Sequence, residues 1–172
     1  DLYVCNDLHT PDRIWINESA PGRVQFRALS RLALRSNSTF SMGVDVGDLN
    51  RDGFVDIFTV DMASRSPVMR QTQMEGAVPP GRRFTAIDER VQVHRNALQY
   101  GRGDGTFSEV AYFAGVPASE WSWGPIFLDV DLDGYEDILI TNGQIRDFQD
   151  SDGAARIQAA QRSGRTLTPA LI

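Results

Sequence analysis

Two nine-residue stretches share one acidic spacing. They are Asp48-Leu-Asn50-Arg-Asp52-Gly53-Phe54-Val-Asp56 and Asp129-Val-Asp131-Leu-Asp133-Gly134-Tyr135-Glu136-Asp137. No apolar core asks for such a pattern, because carboxylates held this close repel one another unless a cation sits among them. Oxygens at loop positions 1, 3, 5 and 9, with the main-chain carbonyl at position 7, can converge on one hard ion, and the glycine at position 6 permits the bend that turns the chain around it. Each stretch runs directly into an apolar, β-branched segment, Ile57-Phe-Thr-Val60 or Ile138-Leu-Ile-Thr141. An EF-hand or dockerin reading needs an acid at position 12 and a helix after the loop, whereas position 12 is Thr59 or Ile140 and both loops enter strands. A pair of solvated acidic turns without metal is the bland alternative, and identical spacing in two places argues against it.

The copies lie 81 residues apart, and their surroundings match as well. Ser41-Met42-Gly43 aligns with Ser122-Trp123-Gly124, and Phe26 with Phe107. After a shift of three, Ile14 and Ile16 correspond to Leu98 and Tyr100. The unit is a short strand, a glycine turn with Phe, a second strand, Ser-x-Gly, a strand, the acidic loop and a further strand. Repeats of several strands over some tens of residues are the signature of propeller blades. Asp1-Leu-Tyr-Val-Cys-Asn6 reads like Asp56-Ile-Phe-Thr-Val-Asp61, which makes Asp1 the ninth position of a loop whose earlier ligands would precede this sequence.

Residues 63–90, rich in Met, Gln, Arg and Pro, do not fit the repeat and read as an insertion, partly helical around Val68 to Glu75. After Asn142-Gly143 the pattern changes again. Ser151-Asp152 can cap a helix that runs to Arg162 and is stopped by Gly164, and Thr168-Pro169 resembles the start of another. The expected organisation is propeller blade with the first complete loop over 1–62, insertion over 63–90, blade with the second complete loop over 91–147, and a helical tail or inter-blade insertion over 148–172.

The chain of 172 residues has 41% hydrophobic residues and a formal charge of −6, enough for one domain with a core. Lys and Arg are not clustered, which argues against nucleic acid as a partner. No run of about 18 apolar residues could span a membrane. The single cysteine, Cys5, rules out an internal disulfide.

The loop pattern ahead of a strand, with the preceding Gly103-Asp-Gly105-Thr-Phe107 turn, resembles the FG-GAP or VCBS repeats of integrin α-subunit-type propellers. Glu120-Trp121-Ser122-Trp123-Gly124, Phe127-Leu-Asp129, Thr141-Asn142-Gly143 and Arg146-Asp147 resemble bacterial relatives of cartilage acidic protein, secreted proteins that often carry an ASPIC/UnbV segment. The resemblance implies an all-β fold, a partial integrin-like β-propeller of two to three blades with a short helical C-terminal tail. It implies Ca²⁺ at two complete sites and part of a third at Asp1. The first site would use Asp48, Asn50, Asp52 and Asp56 with the carbonyl of Phe54, and the second Asp129, Asp131, Asp133 and Asp137 with the carbonyl of Tyr135. Four carboxylates against three predict that the second binds calcium more tightly, the more so with Arg51 in the first loop and Glu136 in the second.

Other residues invite a functional reading. Arg102-Gly103-Asp104 is an integrin-recognition tripeptide, yet it lies where a hairpin turn needs glycines. Trp121 and Trp123 could stack on a sugar, although alternating aromatics before a loop more often pack between blades. His9 and His94 stand apart from any Cys or His cluster, Asn17 and Asn37 begin glycosylation-type triplets, and Asp88, Glu89, Glu109 and Glu120 are the acids left over for catalysis, with no catalytic motif around them. The expected function is a calcium-stabilised propeller module of an extracellular, periplasmic or cell-surface protein that binds a protein or glycan, completed by further blades of the same protein. A secreted hydrolase or lyase using the propeller as scaffold, or an architectural subunit of a surface assembly, are the alternatives.

Overall fold

The computed structural model describes residues 1–7, 10–73, 90–144 and 150–164. It is all-β, with three antiparallel sheets following one another in chain order and two helices beside them. The first sheet holds β1 (Leu2–Val4), β2 (Arg13–Asn17) and β3 (Phe26–Ala28) in that order. The second holds β5 (Gly43–Gly47), β6 (Asp56–Val60), β8 (Ala97–Gly101) and β9 (Phe107–Glu109), again in chain order. The third is the pair β10 (Ser122–Leu128) and β11 (Asp137–Asn142).

The repeat is exact at the level of register. Tyr3 pairs with Ile14 in the first sheet as Phe58 pairs with Leu98 in the second, and Asn17 pairs with Phe26 as Gly101 pairs with Phe107. Likewise β5 and β6 are joined by the first acidic loop, and β10 and β11 by the second. The three sheets are therefore successive copies of one four-stranded meander, represented by its last three strands, by all four and by its first two. Successive chain-order meanders of this kind are the layout expected of propeller blades.

The core lies between consecutive sheets. Side chains alternate across a strand, so β6 sends Ile57 toward the first sheet, where it shares a cavity with Tyr3, Ile14 and Ile16, and sends Phe58 and Val60 toward the third. Phe58, Val60, Leu98 and Ala111 are buried there against Phe127, Ile138 and Ile140, with the Phe58 and Phe127 ring centroids 6.5 Å apart. Strand β5 crosses close to β10. A Cβ on Gly43 would sit 2.6 Å from the Trp123 carbonyl oxygen, so only glycine admits this approach. Asp45 adds a polar tie, its Oδ2 accepting the Phe127 amide at 2.7 Å.

The chain departs from the sequence reading in three places. Ser36–Ser38 forms β4, which pairs in parallel with β7 (Val91–Val93), so this polar stretch is a largely buried strand that the repeat unit does not contain. Its Asn37 is 1% exposed, which closes the second glycosylation triplet in the folded chain. Helix α1 (Pro67–Thr72) is shorter than expected and is capped by Ser66, whose hydroxyl accepts the Met69 amide. Helix α2 (Ser151–Arg162) is capped by Asp150 and not by Ser151, because the Asp150 carboxylate accepts the Asp152 amide at 3.0 Å. It ends as expected at Gly164, with φ +67. The remainder of the insertion from residue 74 to 89, Arg146-Asp147, His9 and Thr168-Pro169 lie outside the described residues. No described helix is long and apolar enough to cross a membrane.

Candidate metal centre

Both acidic loops close on the same set of hydrogen bonds. The first aspartate takes two amides: Asp48 accepts from Asp52 at 3.0 Å and Gly53 at 2.9 Å, and Asp129 from Asp133 at 3.1 Å and Gly134 at 2.8 Å. The third position accepts from the fifth, at 3.0 Å for Asn50 and 3.2 Å for Asp131. The fifth accepts from the seventh, Asp52 from Phe54 at 2.9 Å and Asp133 from Tyr135 at 2.7 Å. The ninth reaches back to the second, Asp56 to the Leu49 amide at 3.0 Å and Asp137 to Val130 at 3.1 Å. Every carboxylate nominated in the two complete loops thus accepts an amide of its own loop.

The bend uses two left-handed residues per loop. Gly53 and Gly134 both have φ +86, as the sequence suggests. Position 4 is left-handed too, at +58 in Arg51 and +61 in Leu132, a conformation that costs a side-chain-bearing residue about 1–2 kcal/mol. Neither Arg nor Leu signals this, so residue type hid it.

In the second loop one oxygen from each of Asp129, Asp131 and Asp137 lies within 4.8 Å of the others, the one such gathering of acids among the described residues. A cluster of hard, anionic oxygens fits a hard divalent cation and suits a thiophilic metal poorly. In the first loop Asn50 replaces one acid, and no three acids gather that closely. The first loop is the more enclosed. Asp56 is fully buried, its Oδ1 accepting the Gly101 amide at 3.0 Å, and burial pushes its carboxyl above the ordinary range against the opposing pull of the Gly101, Leu49 and Asn50 amides. Asp1 repeats that bond one sheet earlier, accepting the Asn17 amide at 2.8 Å, and Asn17 stands at the Gly101 position of its sheet.

The two loops are neighbours on one rim. The Arg51 guanidinium lies 3.9 Å from the centre of the Tyr135 ring, a cation–π contact between loop position 4 of one sheet and position 7 of the next.

Other nominated residues have local partners. Arg102-Gly103-Asp104 forms the β8–β9 turn. Asp104 accepts both the amide and the hydroxyl of Thr106, at 2.9 and 2.6 Å, and the hydroxyl bond first of all holds its carboxyl below the usual range. Phe54 packs on Gly103, so the glycine serves the turn. Trp123 is half exposed and donates its indole N–H to the Gly143 carbonyl at 2.9 Å, while Trp121 lies partly buried. Glu109 is paired with Arg95, and Glu120 accepts the Arg65 amide at 2.9 Å. His94, unremarkable in sequence, places Nε2 3.4 Å from Oδ1 of the buried Asp61. Asp88 and Glu89 lie outside the described residues.

No curated protein and no solved structure matches the chain. Residues 86–140 match the family described as FG-GAP-like repeat, a span that covers β7 to β10, the whole second loop and the start of β11. The segment similar to an FG-GAP-like repeat thus runs from the outer strands of one sheet through the first strand and acidic loop of the next.

Proposed function

We propose that the chain is a calcium-stabilised module of an integrin-like β-propeller in an extracellular or cell-envelope protein, and that it serves to bind a partner. The observation that carries the calcium reading is the gathering of Asp129, Asp131 and Asp137, held by backbone amides in a geometry their own charges oppose. Calcium would be held by Asp129, Asp131, Asp133 and Asp137 with the Tyr135 carbonyl, and in the first loop by Asp48, Asn50, Asp52 and Asp56 with that of Phe54. The ion would supply charge neutralisation, so its binding energy becomes folding energy. Loops this polar and exposed belong to the weaker calcium class, with dissociation constants of about 10⁻⁴ to 10⁻³ M in extracellular modules. Free calcium at the millimolar level outside cells would fill sites of that class, which suits an extracellular or periplasmic setting. The test is a thermal melt in millimolar calcium and in EGTA. We expect the transition to fall by several degrees on chelation, and an unchanged transition overturns the structural role.

A further inference from the structure

The segment that interrupts the repeat builds a cleft with the wall of the next sheet. Its volume is about 410 Å³, and Arg65 and Arg70 line it together with Val116, Pro117 and Ile140. Both guanidiniums are pinned through Nε, Arg65 to the Ala118 carbonyl at 3.3 Å and Arg70 to the Ser64 carbonyl at 2.9 Å. The terminal nitrogens of both have no acceptor, and no carboxylate lies within ion-pair distance of either among the described residues. This contrasts with Arg27, Arg95 and Arg156, each paired with an acid. Glu120 lines a neighbouring cleft and accepts the Arg65 amide.

The rest of the lining is largely apolar and is tied into the fold. The carbonyls of Val116 and Pro117 accept from Asn96, the Val116 amide donates to Ala111, and Val116 and Ile140 pack against the buried core. Two forked donors and a C–H surface lining one cleft suit a planar oxyanion carried on a ring with an apolar face. A bare oxyanion would leave that surface unused.

We propose that this cleft binds the acidic group of an anionic saccharide, the Arg65 and Arg70 guanidiniums holding a carboxylate while the sugar's C–H face rests on Val116, Pro117 and Ile140. The proposal rests on reading the chain as a partner-binding module, and it names the class of partner. Trigalacturonate, a neutral galactose trisaccharide and inorganic sulfate are titrated calorimetrically into the full chain at low ionic strength and millimolar calcium. Trigalacturonate binds, and its affinity falls at least about tenfold in Arg65→Gln and in Arg70→Gln and declines with added salt. The neutral sugar gives no heat. Absence of trigalacturonate binding, or unchanged affinity in the double variant, overturns the site, and sulfate binding as tightly as trigalacturonate overturns its assignment to a saccharide. Should the variants fail to fold, phenylglyoxal labelling of the unaltered chain decides. Trigalacturonate protects Arg65 and Arg70 from modification, and lack of protection overturns the proposal. Melting the same samples with and without EGTA separates the two readings, since a calcium shift without saccharide binding removes this site alone.

Discussion

Gly43 and Gly124 occupy the same position of the repeat in two successive sheets, and the structure predicts opposite outcomes for the same substitution. In Gly43→Ala the new Cβ would meet the Trp123 carbonyl oxygen at 2.6 Å and the Gly124 Cα at 2.9 Å. Ordinary contact begins at 3.4 Å, so the closest approach is short by 3.4 − 2.6 = 0.8 Å. Both obstacles are backbone, which cannot rotate away, so relief requires β5 and β10 to separate and loosens the Phe58–Phe127 contact between the sheets. Overpacking of this kind costs about 1–3 kcal/mol, which at about 2–4 °C per kcal/mol in a domain of this size lowers the melting temperature by about 2–12 °C. In Gly124→Ala the Cβ meets nothing nearer than the Thr141 Oγ1 at 3.8 Å. That change should leave stability within about 1 kcal/mol, on the favourable side, because alanine restricts the unfolded chain. Thermal melts followed by circular dichroism in calcium compare the two directly. An equal fall in both variants, or none in Gly43→Ala, refutes the claim that successive sheets are joined by this backbone approach.

Asp52→Ala leaves the second loop to report calcium binding, and Asp133→Ala leaves the first; calorimetry should find the remaining site severalfold tighter in Asp52→Ala, and equal affinities refute the ranking by ligand charge. Asp12 is fully buried and its carboxyl is raised above the ordinary value, chiefly by burial, against bonds from the Asn6 amide and the Ser41 and Tyr3 hydroxyls. A folded-state value above the unfolded one means stability is lost as pH rises through it. Asp12→Asn, which installs the residue that Asn96 provides at the matching position of the second sheet, should therefore gain stability over the parent chain as pH climbs from 4 to 7, and a gain independent of pH in urea melts counts against the assignment. The Cys5 thiol is pushed up to about 12 by burial and then by the charge of Asp12, so alkylation by iodoacetamide at mildly alkaline pH should be much slower in the native chain than in urea. Equal rates contradict that environment.

The sequence by itself determined the repeat, the loops and the strands behind them. Ligand spacing is a local property, since residues at alternate positions of one short loop reach a common centre whatever the rest of the chain does, and the closing amides come from the same nine residues. The strand pairs were legible for a similar reason, because Phe26 and Phe107, or Ile14 and Leu98, mark equivalent points of a meander built from near neighbours. Tertiary structure alone decided what lies between the copies. The Arg51–Tyr135 contact, the Asp45 tie to Phe127, the burial of Asp56 beneath Gly101 and the parallel pairing of β4 with β7 join residues from about 45 to about 84 positions apart, whose types carry no mark of one another. The left-handed Arg51 and Leu132 were hidden because the loop's hydrogen bonds, and not residue preference, impose that conformation. Nothing in the sequence links Arg65 with Arg70; the fold brings both to one cleft, their Nε atoms donating to the Ala118 and Ser64 carbonyls.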